Sequence, residues 1–376
     1  MAFSLKNMLS GVSLFDKKSE SVVGIDFGSS AIKLVQLRKK GGKAVLETYG
    51  ELALGPYASI EIGRATNLPI EKRVEALADL LREANVTTKN AGLSIPLSAT
   101  LLSLIEIPTM DKKRMAEMIP IEARRYIPVP ISEVVLDWWE IPKPEELFTA
   151  PEGVENHPNQ GKKSEVLLVA ILNEALARNR RIVQDLRLQN VLYEIEIFAT
   201  VRAALDQGIQ PVMVLDMGAG STKLYLVEHG IVKDSHIINR GGQDITLSIA
   251  SSLHIKVAEA EELKRTVGLS TKPENKQVSE TTSLVLGQIF SEANRVLQTF
   301  EKRTNKPLSK VVLTGGGAVL KGFTQAAQVH FKTTVEAASP FEKVVTPAFL
   351  GNILQSIGPE FAVAVGIALR KLSQVE

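Results

Sequence analysis

The sequence predicts an α/β protein made of two duplicated lobes, with a smaller α+β subdomain inserted into the first. The main observation is internal similarity: residues 22–37 (VVGIDFGSSAIKLVQL) resemble residues 212–227 (VMVLDMGAGSTKLYLV). Asp26 matches Asp216, Gly28 matches Gly218 and Lys33 matches Lys223 at one constant offset. Two copies so far apart mark a duplicated domain and not a stacked array. The second observation is periodicity, since short apolar runs of strand length alternate with segments of helical spacing. The third is length, because 376 residues make about two and a half domains at roughly 150 residues each.

Composition narrows the classes. A net charge of +2, with 23% charged and 44% hydrophobic residues, is that of an ordinary globular protein. Lys and Arg are scattered, so no basic tract follows a nucleic-acid backbone and no nucleic-acid partner is expected. There is no cysteine, which excludes disulfides, thiol nucleophiles and thiolate metal sites. The five histidines, His157, His229, His236, His254 and His330, are not spaced as metal pairs. No uncharged apolar run approaches the roughly 18 residues that span a bilayer, and no signal-peptide pattern opens the chain. A cytoplasmic location is the expectation.

Element by element, Leu5, Met8, Leu9 and Val12 fall on one helical stripe flanked by Phe3 and Phe15. The stripe suits a partner, a membrane surface or the protein's own body, since so short a helix is marginal alone. Lys17 to Glu20 read as a linker. Each repeat reads strand, tight turn, strand. Val74–Ala84 is a helix through Leu77, Leu80 and Leu81, and Ala91–Ile95 a strand closed by Pro96. Thr100–Ile107 is a strand, Met115, Met118 and Ile119 stripe a helix interrupted by Pro120, and Val134–Ile141 alternates as a strand. Pro142–Ser164 has the Pro, Gly, Asn and Lys composition of a loop. Val166–Ile171 is a buried strand and Asn173–Leu188 a helix. Ile245–Leu253, Ala258–Val267 and Thr281–Arg303 are helical, and Val311–Leu313 is a short strand entering Thr314-Gly315-Gly316-Gly317. Phe361–Lys371 is a small-residue helix. The expected divisions are 1–20 for the amphipathic segment and linker, 21–98 and 173–208 for the first lobe, 99–172 for the insertion, 209–244 and 308–376 for the second lobe core, and 245–307 for a helical subdomain.

The repeats carry the chemistry. Each strand ends in Asp, followed by glycine and small hydroxyl residues and then Lys. A turn without bulky side chains lets backbone N–H groups approach phosphate oxygens, and a carboxylate at the strand end can hold waters of a Mg²⁺ ion. One such turn is weak evidence, because Asp and Gly also serve turn geometry alone; two facing copies reverse the balance. Asp26, Gly28, Ser29 and Ser30 form the first candidate phosphate loop, and Asp216, Gly218, Ala219, Gly220, Ser221 and Thr222 the second, with Asp26 and Asp216 as water-mediated metal contacts. Lys33 and Lys223 face either the site or solvent. Gly315, Gly316 and Gly317 let the backbone pass close to a ring or ribose. Neither the P-loop nor the dinucleotide fingerprint is present.

Together the two hairpins, the LTGGG turn and the C-terminal helix around Gly366 resemble the actin, sugar-kinase and heat-shock-ATPase superfamily. That resemblance implies an actin-like, ribonuclease H-like duplicated two-lobe ATPase fold binding ATP and Mg²⁺. Within it, Glu196 in YEIEIFATVRAA resembles the acidic residue that orients the attacking water, although Ile197 stands where a proline usually follows. Glu261 and Lys264 in AEELKRTVG resemble the helix that contacts ribose and adenine. A narrower resemblance is to the FtsA-like PilM family of type IV pilus assembly, carried by the repeat at 22–37, by IPTMDKKRMAEMIPIEARRYIPVPISEVVLDW (107–138) and by EIEIFATVRA (194–203). It implies an FtsA-type inserted α+β subdomain and a cytoplasmic ATP-binding platform. The same resemblance implies that the platform's partner is the N-terminal cytoplasmic peptide of PilN, held beside the insertion, and that the platform connects the inner-membrane complex to the pilus motor ATPases. Trp138 and Trp139 are expected as core or interface residues, or as anchors for a peptide. The resemblance implies indirect membrane association, since LRKLSQVE (369–376) is too short for an FtsA-type anchor.

Three functional readings stand at this level. The first is a nucleotide-loaded scaffold, at most a slow ATPase. The second is a sugar or small-metabolite phosphotransferase with Asp244 as its base, a residue equally suited to a helix N-terminus. The third is an FtsA-like division filament protein.

Overall fold

The repeated segments fold into the same unit in a computed structural model, which describes residues 21–142, 163–206 and 208–374. The N-terminal stripe and most of the loop expected at 142–164 lie outside the described residues. In the first lobe, β1 (Ser21–Phe27), β2 (Ala31–Lys40) and β3 (Lys43–Ala53) form an antiparallel meander, and β4 (Asn90–Ile95) and β8 (Gln189–Ile195) extend it in parallel, in the order β3-β2-β1-β4-β8. In the second, β9 (Val212–Met217), β10 (Thr222–Glu228) and β11 (Ile231–Ile238) form the meander and β12 (Lys310–Thr314) and β13 (Thr334–Ala337) the parallel edge, in the order β11-β10-β9-β12-β13. Even the register repeats: Asp26 lies opposite Lys33, and Asp216 opposite Lys223.

Strands buried on both faces hold each lobe. Val23 and Ile25 face α1 (Ile70–Glu83) and α3 (Asn173–Asp185), while Val22 and Gly24 face α10 (Ala362–Ser373). Met213, Leu215 and Met217 point into a core with α5 (Gly242–Leu253), α6 (Val257–Val267), α7 (Lys276–Thr304) and α8 (Phe323–Phe331). Val214 points the other way, toward α4 (Glu196–Ala204). The lobes therefore meet where α4 crosses α10. A Cβ on Gly366 would lie 2.0 Å from the Ala199 carbonyl oxygen, so only glycine permits the crossing. Glu194, fully buried, ties the crossing together by accepting from Arg202 at 2.7 Å and Arg370 at 2.6 Å.

Residues 100–172 contain a separate sheet of order β5-β7-β6, made of β5 (Thr100–Pro108), β6 (Val134–Glu140) and β7 (Lys163–Leu172), covered by α2 (Lys112–Ala123). It abuts the second lobe, where Lys233 of β11 pairs with Glu165 of β7 at 2.7 Å. The expected interruption at Pro120 does not occur: α2 runs through it. Pro120 lies on the exposed face near the end of the helix, and Met115, Ile119 and Ala123 on the other face stay buried and hold the turn. Strands β3 and β11 lack a clean apolar alternation and escape sequence reading. Residues 348–373 are helical and apolar enough to cross a bilayer, but 61% of their most apolar window is buried within the protein.

Candidate functional site

Both β-hairpins end at one cleft of about 290 Å³ between the lobes. Strand β1 delivers Asp26 and β9 delivers Asp216 to its floor, and the turns Gly28-Ser29-Ser30 and Gly218-Ala219 with Ser221 form its walls. Small residues let the walls approach, since a Cβ on Gly220 would lie 3.1 Å from that of Ala65 and 3.6 Å from the Ser29 hydroxyl. The Gly218 amide donates to the Ser221 carbonyl at 3.0 Å, and the Gly242 amide donates to the Gly218 carbonyl at 2.9 Å, locking the second turn onto α5.

The charges are strongly coupled. Burial and the nearby Glu196 push the Asp26 carboxyl up to about 6, and burial likewise raises Asp216. Burial alone would lower Lys223, but Glu196 and Asp216 hold it above its ordinary value; its ammonium lies 2.6 Å from Glu196 and 3.7 Å from Asp216. Lys33 likewise overcomes its burial through Glu51 at 3.0 Å and Glu360 at 3.8 Å. Both lysines thus line the cleft. Glu196 opens α4, with its second oxygen accepting from the Leu97 amide at 2.6 Å.

On the facing wall, Glu261 of α6 accepts from Lys264 and Thr246 at 2.6 Å and from Arg265 at 2.7 Å. Despite burial, these partners hold its carboxyl below the usual range, and burial lowers Lys264. A Cβ on Gly63, from the first lobe, would lie 2.5 Å from the Glu261 carboxyl carbon. The Ala65 amide donates to the Gln243 side chain at 3.1 Å, a second contact across the cleft. At the rear, Gly315 adopts φ +80°, and a Cβ there would lie 2.4 Å from an Asp216 oxygen, so the glycine turn folds directly over that carboxylate. Gly316 and Gly317 complete the rear wall.

Of the sequence-derived candidates, Thr222 is turned away: its hydroxyl donates to the Arg240 carbonyl at 2.8 Å, because alternation along β10 sends its neighbour Lys223 to the cleft. Gly220 spaces the two loops without lining the cavity. Asp244 accepts from the Gly241 amide at 2.7 Å and caps α5, so the base required by a phosphotransferase is occupied as a helix cap. Sequence reasoning missed Glu51, Glu360 and Arg265, which line the cleft. Only Arg265 carried a signal, one helical turn beyond Glu261.

No group of three or more His, Asp or Glu able to hold a metal directly occurs among the described residues. The two facing carboxylates, the small-residue turns and the lysines instead suit a Mg²⁺ ion delivered by phosphates and reached through its own waters.

Comparison with known proteins agrees with this architecture. The chain is similar to the cell division protein FtsA of Enterococcus hirae, 24% identical over 90% of this chain and 83% of that one. It is also similar to FtsA of Streptococcus pneumoniae serotype 2, 29% identical over 43% of this chain; the match spans only 40% of that protein. Among solved structures, the PilM-PilN type IV pilus biogenesis complex superposes with a TM-score of 0.75 at 29% identity, covering 93% of this chain and 98% of that one. MreB5 of Spiroplasma citri bound to AMPPNP superposes at 0.51 and 10% identity, covering 94% and 96%. The fold is thus actin-like. The sequence pattern of the Type IV pilus assembly protein PilM family matches residues 24–372, and the chain belongs to that family.

Proposed function

We propose that the chain is an ATP-binding scaffold of the type IV pilus inner-membrane assembly, which captures the N-terminal cytoplasmic peptide of PilN. The observation that carries the nucleotide half is the convergence of two register-matched Asp–Lys hairpins on one cleft. The backbone amides and hydroxyls of Gly28, Ser29 and Ser30 and of Gly218, Ala219 and Ser221 would hold phosphates, with Lys33 and Lys223 as their counter-charges. Asp26 and Asp216 would orient the waters of Mg²⁺. Glu261 and Lys264 would meet the ribose, and Gly315 to Gly317 the base. Bound Mg²⁺ would supply neutralisation of phosphate charge. The likeness to PilM in its complex with PilN supports the peptide half, and with that partner goes the proposed position of the chain, in the cytoplasm and at the membrane through the peptide. The face of the inserted sheet opposite α2, where Val135 and Trp139 stand exposed on β6, is the proposed seat.

Turnover is expected to be slow, since both oxygens of Glu196 are engaged, by Lys223 and by the Leu97 amide. The test is to incubate the purified protein with Mg-ATP, remove the excess and identify what stays bound after an hour. Retained, intact ATP is the expected result. Rapid conversion to ADP would make Glu196 a catalytic residue, and an empty protein would overturn the assignment of both hairpins.

A further inference from the structure

We infer that the exposed surface at residues 345–353 is the docking site for this chain's own N-terminal segment, residues 3–15, bound in cis. Phe349 is 82% exposed, Ile353 50% and Val345 47%, and they cluster beside the core that buries Leu46, Val344 and Leu354. Residues 344–359 contain no Asp, Glu, Lys or Arg in a chain that is 23% charged. A surface that is both apolar and uncharged calls for a cover.

The sheet shows what lies within reach. Ser21 pairs with Arg38, Arg38 with Val45, and Val45 bridges to Val345, so the first strand's start and the patch lie in one row. Three strand spacings put them roughly 14 Å apart. The connecting residues 16–20 (DKKSE) reach up to roughly 17 Å when extended. The segment beyond them carries the apolar residues Phe3, Leu5, Met8, Leu9, Val12 and Phe15. A tether this short fixes a local concentration in the millimolar range, so a contact of modest intrinsic affinity is formed most of the time. Charge argues against a lipid surface as the occupant. Residues 3–15 carry only Lys6, whereas helices that bind anionic membranes present a Lys- and Arg-rich polar face.

The full chain has no cysteine, so a pair of introduced thiols reports cleanly. Leu9→Cys with Ile353→Cys, treated with a short bismaleimide, should give an internal cross-link in the monomer. Leu9→Cys with Leu284→Cys, a control on the exposed face of α7, should not. Hydrogen exchange supplies an independent readout: amides at 348–357 should exchange about tenfold faster in Leu9→Glu than in the parent chain. Cross-linking no better than the control overturns the proposal, as does cross-linking only between two chains, which would make the occupant a second copy. Flotation of the parent chain with phosphatidylcholine–phosphatidylglycerol vesicles, lost in Leu9→Glu, would assign the segment to the membrane and equally overturn it.

Discussion

Asp26 is held in the cleft at an electrostatic cost. Its carboxyl, ordinarily near 3.8, is raised to about 6 by burial and by Glu196. A carboxyl that holds its proton more tightly in the folded state contributes stability that is fully present below the unfolded value and is lost as the pH rises through about 6. At pH 8, Asp26→Asn should therefore stabilise the ligand-free protein by up to roughly 3 kcal/mol, an advantage nearly gone at pH 4. Melting curves at the two pH values check this, and equal stability at pH 8 would refute it. Asp216→Ala should leave the fold intact and weaken Mg-nucleotide binding by roughly 10- to 100-fold, the worth of one charge-assisted contact; unchanged calorimetric titrations would remove the residue from the site. These two carboxylates were legible because the sequence repeats them; the same repeat marked Lys33 and Lys223 but left open which way they face. Glu51 and Glu360 were not, since they reach the cleft only through the pairing of β3 with β2 and the packing of residues before α10.

Elements that hold the lobes together depend on absent side chains. At the crossing of α4 and α10, Gly366→Ala would force a Cβ against the Ala199 carbonyl oxygen. The expected cost is about 1–3 kcal/mol from overpacking, less than 1 kcal/mol of which is returned by alanine's better helix propensity. Because the displaced helices join the lobes, nucleotide affinity should fall along with the melting temperature; a variant that melts like the parent would show that the crossing tolerates displacement. Helix periodicity located α10 correctly, but no sequence pattern says which small residue touches another helix. In the same way, Pro120 reads locally as a break, while the buried face of α2 overrides it.

Across the whole molecule, a ligand held between lobes stabilises both. At a thousandfold excess over its Kd, Mg-ATP should add about 4 kcal/mol to folding, seen as a rise of several degrees in melting temperature; no shift would contradict the proposed nucleotide site. If the closed cleft also shapes the peptide groove, the PilN peptide should bind at least about 5-fold tighter with Mg-ATP present, and the nucleotide reciprocally tighter with peptide. Equal peptide affinity in both states would separate the two sites. The amino-acid sequence by itself determined the duplication and the two Asp-Gly turns, because those are local patterns repeated at a fixed offset, and the existence of an insertion, because its segments interrupt the first copy. Only the tertiary structure decided that both lysines enter the cleft, that Thr222 leaves it, that Asp244 is a helix cap and that Glu51, Glu360 and Arg265 line the cleft. Strand register and interlobe packing set which way a side chain points, and both arise from contacts between residues far apart in the chain.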